Sequence, residues 1–424
     1  MNAAWIGMLM AVFSLPLASG MAPEAVVRGA YLARAGDCLG CHTAPGGQPF
    51  AGGRPIGTPF GKIFSTNITP DPETGIGRYR ADPFVKAMRE GVAEDGQHLY
   101  PAMPYTAYAK VTQADLLALY AYFMQGVNPV QQPNRPTKLP WPLSQRSLLA
   151  VWNALYLKKG EYATDSRQSP AWNRGAYLVQ GLGHCGGCHT PRGLGGQEKG
   201  GRHFLAGGSV DHWLASPLTG DRETGLQAWS QEEVVEFLKT GRTARVAALT
   251  VMGGVVSQST QHMTDPDLRA MAEYLKALPP SHSGAAATAS MALPAGDSSA
   301  ATSALRAGAT TMPGSRAYLD NCNACHRSDG SGASRTFPDL RKNEAVNAKD
   351  PISLIHLVLS GAAMPSTQIA PTAFAMPALG SRLTDSEVAA VLTFIRENWG
   401  NSAAEVSPHQ VGRVRQALAK DKAE

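Results

Sequence analysis

Three copies of one five-residue pattern, Cys-x-x-Cys-His, constrain this chain more than any other feature of its sequence. The copies read CLGCH at 38–42, CGGCH at 185–189 and CNACH at 322–326, and together they contain every cysteine of the chain. The pattern is typical of c-type haem attachment, in which both thiols bond to the porphyrin and the histidine reaches the iron. The sequence therefore predicts three covalent haems. The predicted attachment residues are Cys38, Cys41, Cys185, Cys188, Cys322 and Cys325, and the predicted proximal iron ligands are His42, His189 and His326.

Two other uses of a Cys-x-x-Cys pair fit this sequence less well. A structural zinc site usually needs a second pair of ligands at a regular separation. A thioredoxin-like dithiol gives no reason for a histidine to follow the second cysteine in all three copies. Haem attachment accounts for all three copies at once.

A helical unit recurs around each copy of the pattern. The segments RGAYL (28–32), RGAYL (174–178) and RAYL (316–319) lie shortly before the three copies. After each copy a capping box precedes an apolar helical stretch, with the capping threonines at Thr112, Thr264 and Thr384. In a chain of 424 residues, three such units agree with the usual size of about 150 residues per domain.

Each unit also carries a methionine shortly before its capping threonine. A methionine thioether is a common sixth ligand of haem iron in cytochromes c, and a neighbouring proline keeps the backbone fixed. Core packing is the usual role of a methionine, but the repeated position favours ligation. The predicted distal ligands are Met103, Met252 and Met376.

Other side chains remain as alternatives for the distal position. Met263 directly precedes its capping threonine, and Met364 stands well before its own. His98 could replace Met103, since imidazole also binds iron. Whichever ligand is used, an iron with two protein ligands has no vacant position and passes single electrons. We therefore expect no catalytic residue on this chain.

Composition limits the kinds of partner that the chain can bind. The formal net charge is only +5, from 38 basic and 33 acidic residues. This balance favours neither nucleic acid nor a polybasic membrane anchor, so we expect no nucleic-acid partner. Glycine and proline are plentiful, at 44 and 30 residues, which suits short helices joined by long loops around a prosthetic group.

The first twenty residues predict an export signal. Residues 3–20 carry no charge, end in the small residues Ala18-Ser19-Gly20, and include Pro16, which would end a helix. An uncleaved anchor is the alternative, because the apolar run is just long enough to span a bilayer and no basic residue precedes it. Export agrees with haem attachment, which takes place outside the bacterial cytoplasm.

The predicted organisation is a signal peptide followed by three domains and the segments that join them. The predicted bounds are 1–20 for the signal peptide, 21–127 for domain 1, 128–170 for a proline-rich connector, 171–278 for domain 2, 279–313 for a flexible linker, 314–400 for domain 3 and 401–424 for a basic C-terminal tail.

Three segments allow two interpretations each. The polar loop 65–75 either places donors around haem propionates or forms an ordinary surface turn. The apolar stretch 148–157 is either a helix that covers the interface between two units or a patch that faces a partner or a membrane. The tail from Pro408 places Val411, Val414 and Leu418 on one helical stripe, which either docks on a partner or an anionic lipid surface or frays.

Four longer phrases carry a resemblance to a known family. They are FSTNITPDPETGIGRY from Phe64, DGQHLYPAMPYTAY from Asp95, VVSQSTQHMTDPDL from Val255 and FAMPALGSRLTDSEVAAVLTFIRENWGN from Phe374. With the three haem motifs, they resemble the three-haem cytochrome c subunit of bacterial membrane-bound dehydrogenases, which serve alcohol, gluconate, sorbitol, fructose and aldehyde oxidation. The similarity covers nearly the whole mature chain.

The resemblance implies an all-α fold of three consecutive class I cytochrome c-like domains, each wrapped around a covalent haem. It also implies that a separate flavin, pyrroloquinoline quinone or molybdenum subunit oxidises the substrate, with or without a small third subunit. This chain would then pass electrons to ubiquinone or a terminal oxidase at the periplasmic face of the cytoplasmic membrane. The cysteine, histidine and methionine positions named above carry over one by one.

Two other functions remain open on the sequence alone. One is a free periplasmic electron shuttle with no fixed partner. The other is a peroxidase-like multihaem enzyme, which would need one five-coordinate iron.

Overall fold

The computed structural model of the protein describes residues 22–58, 60–221, 225–281 and 300–423. The predicted signal peptide lies outside these residues, as does most of the predicted linker at 279–313. We call residues 22–127 the first unit, 128–169 the connector, 170–281 the second unit and 300–423 the third unit.

Each unit has a leading helix before its haem motif and a closing helix near its end. The leading helices are Pro23–Ala35, Pro170–Tyr177 with the π-helical turn Leu178–Leu182, and Ser315–Asn321. The closing helices are Gln113–Gln125, Asp265–Lys276 and Asp385–Glu397. The side chains of Thr112, Thr264 and Thr384 each accept a hydrogen bond from a backbone N–H in the first turn. The helix starts predicted from the capping threonines are therefore confirmed.

Further helices lie before, between and after the leading and closing helices. The first unit has Cys38–Cys41, Ala81–Glu90 and Tyr105–Tyr108, and the connector has Leu148–Tyr156. The second unit has Gly186–His189, Gln231–Thr240 and Thr250–Gln258, with 3₁₀ turns at Gly201–His203 and Thr260–His262. The third unit has Ala300–Arg306, Asn323–His326, Glu344–Asn347, Ile352–Ser360 and Pro408–Ala423.

The described residues also form short antiparallel hairpins that the expectation of an all-α fold overlooked. They pair Pro55–Thr58 with Gly61–Phe64, Gly208–Val210 with Trp213–Ala215, and Ala362–Ala363 with Ala375–Met376. Each strand has two to four residues, too few for the alternating pattern that identifies a strand in a sequence. The fold is thus mostly helical. Among the described residues, no helix combines the length and apolar character needed to cross a bilayer.

A glycine stands where each leading helix crosses its closing helix. A Cβ atom added at Gly29 or Gly175 would lie 1.9 Å from the carbonyl oxygen of Ala118 or Ala270. In the third unit Gly314 has this role, and an added Cβ would lie 2.2 Å from the backbone of Ala390. Because only glycine lets the two backbones come this close, the crossing is fixed by sequence in all three units.

The first and second units share one buried apolar cluster. Leu32 and Leu119 of the first unit and Leu178 and Leu275 of the second belong to it, each at most 4% exposed. Burial of this kind stabilises a fold by about 25 cal/mol per Å² of apolar surface, so the two units stabilise each other. The third unit has two clusters of its own, one with Phe394 and Trp399 and the other with Val388 and Val411.

A buried carboxylate of the first unit receives hydrogen bonds from both units. Asp115 is 1% exposed, and its carboxylate accepts from Arg28 Nε at 2.6 Å within its own unit. It also accepts from the hydroxyl of Tyr177 in the second unit at 2.6 Å. Burial and the bond to Asp115 raise the pKa of Tyr177 to about 12, so the hydroxyl keeps its proton and donates.

The same arrangement occurs again with the units exchanged. Asp267 of the second unit accepts from Arg174 Nε at 2.8 Å, and from the hydroxyl of Tyr31 in the first unit at 2.5 Å. Burial alone would raise the pKa of Asp267, but the bonds from Arg174 and Tyr31 outweigh it and lower that pKa. The junction between the first two units is therefore pseudo-symmetric.

Polar groups at the edges of the helices join the second and third units. The Arg242 side chain, in the second unit, donates to the carbonyl oxygens of Thr372 at 2.7 Å, Ala370 at 2.9 Å and Arg335 at 3.2 Å. Trp213 stacks on His356 with ring centroids 4.1 Å apart. The second and third units therefore meet through hydrogen bonds and a ring stack, and their apolar clusters are separate.

The connector helix lies over the first two units. The hydroxyl of Tyr105 donates to Asn153 Oδ1 at 2.8 Å, and Trp152 Nε1 donates to the carbonyl of Gly195 in the second unit at 2.8 Å. Its outward side chains Leu148, Val151 and Leu155 are 51%, 60% and 69% exposed. The helix therefore covers an interface on one side, which is the interpretation the sequence favoured.

The C-terminal helix packs on the third unit. Val411 and Val414 belong to one of its apolar clusters, and Leu418 packs against that cluster. Arg415 donates from Nε to Asp385 at 2.7 Å and from Nη2 to the carbonyl of Leu383 at 3.0 Å. This chain itself covers the apolar stripe predicted from the sequence, so Val411 and Val414 do not face a lipid surface.

Candidate haem sites

Each Cys-x-x-Cys-His segment forms a short helical turn that holds its histidine near its first cysteine. The backbone N–H of the histidine donates to the carbonyl of the first cysteine of its own motif, at distances of 2.9, 3.0 and 2.9 Å. All the cysteines are free thiols and are partly buried. The turn therefore presents two thiols and one imidazole from one short segment, as covalent attachment of a porphyrin requires.

The three histidine rings are oriented by one shared contact. Each Nδ1 atom lies within hydrogen-bond distance of a backbone carbonyl that follows it in the chain. The Nδ1–O distances are 2.7 Å from His42 to Thr66, 2.6 Å from His189 to Ser216 and 3.0 Å from His326 to Pro338. A carbonyl oxygen only accepts, so Nδ1 carries the proton and the lone pair of Nε2 is left for a metal.

Burial sets the protonation of these groups. It lowers the pKa of all three motif histidines, although the carbonyl contacts partly oppose this effect. Neutral imidazole is the form that binds iron. Burial also raises the pKa of the Cys38, Cys185 and Cys322 thiols to about 12. These thiols therefore sit in an apolar environment, which suits the interior of a haem pocket.

The second and third motifs open onto one apolar cavity of about 530 Å³. His189 and Met252 of the second unit line it, and so do His326 and Met376 of the third unit. Cavities of several hundred Å³ with mostly apolar walls are typical of cofactor sites. The predicted ligands of two sites, more than one hundred residues apart in the chain, are thus brought to a common space.

The predicted distal methionines stand on different kinds of backbone. Met103 lies in a loop and packs, with Cys38, against the cluster shared by the first two units. Met252 is on the helix Thr250–Gln258, although the sequence suggested a loop. Met376 is in a two-residue strand and precedes Pro377. Each is partly buried, as a ligand that faces a pocket would be.

The alternative ligands are also placed. Met263 and Met364 line the shared cavity and are 3% and 6% exposed, so both remain competitors of Met252 and Met376. His98 contacts the connector, because Nδ1 lies 3.4 Å from Asn153 Nδ2 and its carbonyl accepts from Arg146 at 3.1 Å. Both contacts use atoms other than Nε2, so they do not decide between His98 and Met103 as the ligand in the first unit.

The first motif adjoins the second site through Asp37. This residue precedes Cys38 and lines the cavity of the second and third sites. Within the described residues, its Oδ1 atom is buried without a hydrogen-bond partner. Burial raises the pKa of Asp37 to about 7. An acid of this kind titrates near neutral pH, unlike an exposed carboxylate.

The polar loop after the first motif serves the proximal histidine and the connector. The sequence identified neither the Thr66, Ser216 and Pro338 carbonyls nor their role. Asn67 and Thr69, 2% and 0% exposed, bond to each other at 2.8 Å, and Asn67 donates to Val130 of the connector at 2.7 Å. The sequence signal for this contact was the repetition of the loop after the second motif, but that repetition does not indicate which backbone carbonyl orients the histidine.

The chemistry of the donor set fits haem c. Two free thiols and a neutral imidazole with Nε2 available occur together in each unit, and methionine thioethers line the cavity of the second and third sites. Within the described residues, no cluster of three or more His, Cys, Asp or Glu offers a metal site of another kind.

Comparisons with known proteins agree with this geometry. The cytochrome c family model matches residues 173–279 and 311–399. The gluconate 2-dehydrogenase cytochrome c subunit of Pantoea cypripedii is 48% identical over 94% of this chain and 91% of its own length. The cytochrome c subunit of the quinone-type alcohol dehydrogenase of Gluconobacter oxydans (strain 621H) is 43% identical over 97% of this chain and 87% of its own. The fructose dehydrogenase cytochrome subunit of Gluconobacter japonicus is 37% identical over 92% and 82%.

The chain belongs to the family of cytochrome c subunits of bacterial dehydrogenases. Membership makes it an electron-transfer subunit that binds haem c covalently, as the Cys-x-x-Cys-His motifs predicted. The resemblance drawn from the longer sequence phrases is thus confirmed.

Proposed function

We propose that this chain carries three haems c and relays single electrons from a separate catalytic subunit to a membrane acceptor. One observation supports this most: the orienting contact from Nδ1 to a carbonyl occurs at all three motif histidines. Because the same orienting contact is present at all three motifs, it favours three functional haem sites over one functional site and two non-functional ones. Haem iron supplies one-electron redox chemistry when bound.

The protein's own side chains hold and tune each site in this proposal. His42, His189 and His326 bind the proximal face through Nε2, and the cysteines of each motif hold the porphyrin edge. The distal ligands are Met103, Met252 and Met376, whose thioethers favour a higher potential than a second imidazole would. The apolar cavity wall excludes water and keeps reorganisation small as charge moves.

Each unit forms one cytochrome c domain of the class I type. The units at 170–281 and 300–423 each contain one of the two matches to the cytochrome c family, at 173–279 and 311–399. The first unit repeats their leading helix, haem motif and capped closing helix. This repetition supports a third domain of the same kind.

The electron donor is the catalytic subunit of a dehydrogenase of flavin, pyrroloquinoline quinone or molybdenum type. The cytochrome subunits of gluconate, alcohol and fructose dehydrogenases are the relatives that support this partner. The acceptor is ubiquinone or a terminal oxidase, and the complex works at the periplasmic face of the cytoplasmic membrane. The predicted export signal supports that location.

Haem stoichiometry tests the proposal directly. The pyridine haemochrome assay on the purified chain should give three equivalents per polypeptide, and replacing Cys322 and Cys325 together by alanine should give two. A value of one, or no change in the variant, would reject the three-site proposal. The remaining absorbance should keep its c-type bands, because the first two motifs are unchanged in the variant.

Ligand assignment needs a paired comparison. Met376→Leu should remove the charge-transfer band of methionine-ligated ferric haem from one site and lower its potential, with haem content unchanged. Met364→Leu is the matched control, because both side chains line the same cavity. If the control loses the band instead, Met364 is the ligand.

Carbon monoxide separates the relay from the peroxidase-like alternative. With two protein ligands on every iron, the reduced chain should bind little carbon monoxide. Stoichiometric binding at one haem would favour an enzyme with a five-coordinate site.

A further inference from the structure

Glu344 is an acidic residue at the junction between the second and third haem sites. It begins the helix Glu344–Asn347 of the third unit and lines the apolar cavity that both sites share. The side chain is partly buried. A carboxyl group in such a wall is unusual, because a charge facing an apolar cavity is costly unless it is paired or neutralised.

One weak bond holds the carboxyl group in place. Trp229 of the second unit donates from its indole Nε1 to Glu344 Oε1 at 3.3 Å. A second connection runs through the backbone, because the N–H of Asp339 in the third unit donates to the carbonyl of Arg245 at 3.3 Å. The carboxyl group is therefore positioned by the meeting of the two units, and neither unit alone would place it.

The charged groups that face Glu344 are largely engaged with other partners. The charge of Arg245 in the second unit acts on Glu344, but the Arg245 guanidinium pairs with Glu233 at 3.2 Å. Arg341 of the third unit pairs with Asp339 at 2.8 Å. Lys276 donates to the backbone carbonyls of Leu226, Gln227 and Trp229, and Lys342 lines the outer side. Among the described residues, no cation forms a close ion pair with Glu344 that would keep it ionised.

A second, smaller cavity also has Glu344 in its wall. Its volume is about 30 Å³, and Asp339, Arg341 and Lys342 are among the residues that line it. A space of this size is large enough for about one water molecule. The partly buried carboxyl group of Glu344 therefore borders both cavities.

The titration of Glu344 agrees with this position. Burial raises its pKa to about 7, although the bond from Trp229 and the charge of Arg245 oppose the rise. At neutral pH the group is divided between its two forms, so a small electrostatic change shifts its protonation.

We propose that Glu344 is a redox-linked proton-binding site, which takes up a proton when an electron arrives at the haem sites beside it. The inference rests on the proposed function, since it requires haem in the second and third sites. In each cycle, an electron from the catalytic subunit reduces ferric iron to ferrous iron. The Glu344 carboxylate forms one O–H bond with a proton from solvent, and no other bond changes. When the electron leaves, Glu344 releases the proton.

The sign of the coupling follows from electrostatics. An added electron makes the site more negative, which disfavours the neighbouring carboxylate and raises its affinity for a proton. By linkage, the potential of the coupled haem falls as pH rises between the pKa of Glu344 in the oxidised protein and its higher pKa in the reduced protein. In this range the potential falls by at most about 59 mV per pH unit, because a tenfold change in an equilibrium constant corresponds to about 59 mV for a one-electron couple.

Spectroelectrochemical titration of the haem-loaded chain from about pH 5 to pH 9 tests the proposal. The wild-type protein should show one component whose potential falls with pH near neutrality, and Glu344→Gln should flatten it. Reduced-minus-oxidised infrared spectra should contain a carboxylic acid C=O band that the variant lacks. Trp229→Phe removes the hydrogen bond that lowers the pKa of Glu344, so the range in which the potential depends on pH should shift to higher pH.

Glu236→Gln is the matched control. Glu236 also lies at this junction, pairs with Arg335 at 2.6 Å and is outside the cavity wall. It should keep the wild-type slope. A wild-type slope that survives Glu344→Gln, or no slope in the wild type, overturns the proposal when haem content is three per chain. Haem content below three would instead count against the proposed function, so the two failures are distinguishable.

Discussion

The junction between the first and second units and the junction between the second and third units depend on different kinds of contact. The first and second units share one buried apolar cluster and exchange tyrosine hydroxyls, from Tyr31 to Asp267 and from Tyr177 to Asp115. The second and third units keep separate clusters and meet through the Arg242 side chain, a ring stack and the walls of a cavity. Both junctions connect haem motifs, yet only the first is also a common core.

This difference indicates which of the three units stay packed together without the cofactor. A shared core makes two units one cooperative structure, because neither can lose its apolar contacts alone. A junction that surrounds a cavity depends more on what fills the cavity. We therefore expect the first two units to unfold together and the third to respond separately.

The largest expected effect comes from Gly175→Ala. The new Cβ would lie 1.9 Å from the carbonyl oxygen of Ala270, so the two helices of the second unit must separate. Overpacking of this kind costs about 3 kcal/mol, and the shared core should pass the loss to the first unit. Calorimetry should show one early transition for both units and an unchanged transition for the third.

Gly200→Ala is the control for this change, because an added Cβ there has no neighbour within 4 Å among the described residues. Loss of the second unit alone in Gly175→Ala would break the comparison, since the first two units would then be independent.

Tyr177→Phe should have the next largest effect. It removes the donor to buried Asp115 and the acceptor for the Thr112 N–H, at a cost of about 2 kcal/mol. Tyr31→Phe removes the equivalent bonds to Asp267 and Thr264 and should cost about the same. Chemical denaturation measures both. Unequal costs would show that the pseudo-symmetry is geometric and not energetic.

Arg242→Ala should act on the second junction alone. It removes the bonds to three carbonyl groups of the third unit, at about 1 to 2 kcal/mol, and leaves the shared core untouched. Hydrogen exchange should become faster at 370–374 and remain unchanged at 113–125. Arg335→Ala is the matched variant, because its ion pair with Glu236 is half exposed and contributes at most about 1 kcal/mol.

The last expected effect depends on pH and is absent at about pH 4. The pKa of Asp37 is raised from 3.8 to about 7, so the unfolded chain loses this proton first as pH rises. The native state is therefore penalised increasingly from about pH 4 to pH 7 and constantly above. Asp37→Asn should raise the melting temperature at pH 8 and leave it unchanged at pH 4, measured by thermal denaturation. Equal shifts at both pH values would contradict the raised pKa.

Local sequence rules predicted the parts of the fold that depend on neighbouring residues. The capping threonines marked the closing helices correctly, and the connector helix was placed within one residue of its observed bounds, Leu148–Tyr156. The three-residue spacing of cysteines gave the motif turns. These features are decided within a few residues, so a pattern along the chain is sufficient to find them.

Contacts between distant residues could not be predicted in this way. Tyr31 and Asp267 are 236 positions apart, and nothing in either segment indicates the other. The cavity common to two sites, the position of Met252 on a helix and the exposure of Glu344 to that cavity also depend on how the units meet. A single sequence contains no direct signal for contacts between units that are far apart in the chain.

The C-terminal helix sets the order in which the cores of the units can be completed along the chain. The core of the first two units is complete once residue 275 is available, since its last member is Leu275. The third unit needs Val411 and Val414 from the C-terminal helix, so its core is completed last. A polypeptide cut short before Val411 would have two finished units and an open third one, which proteases and chaperones would recognise first.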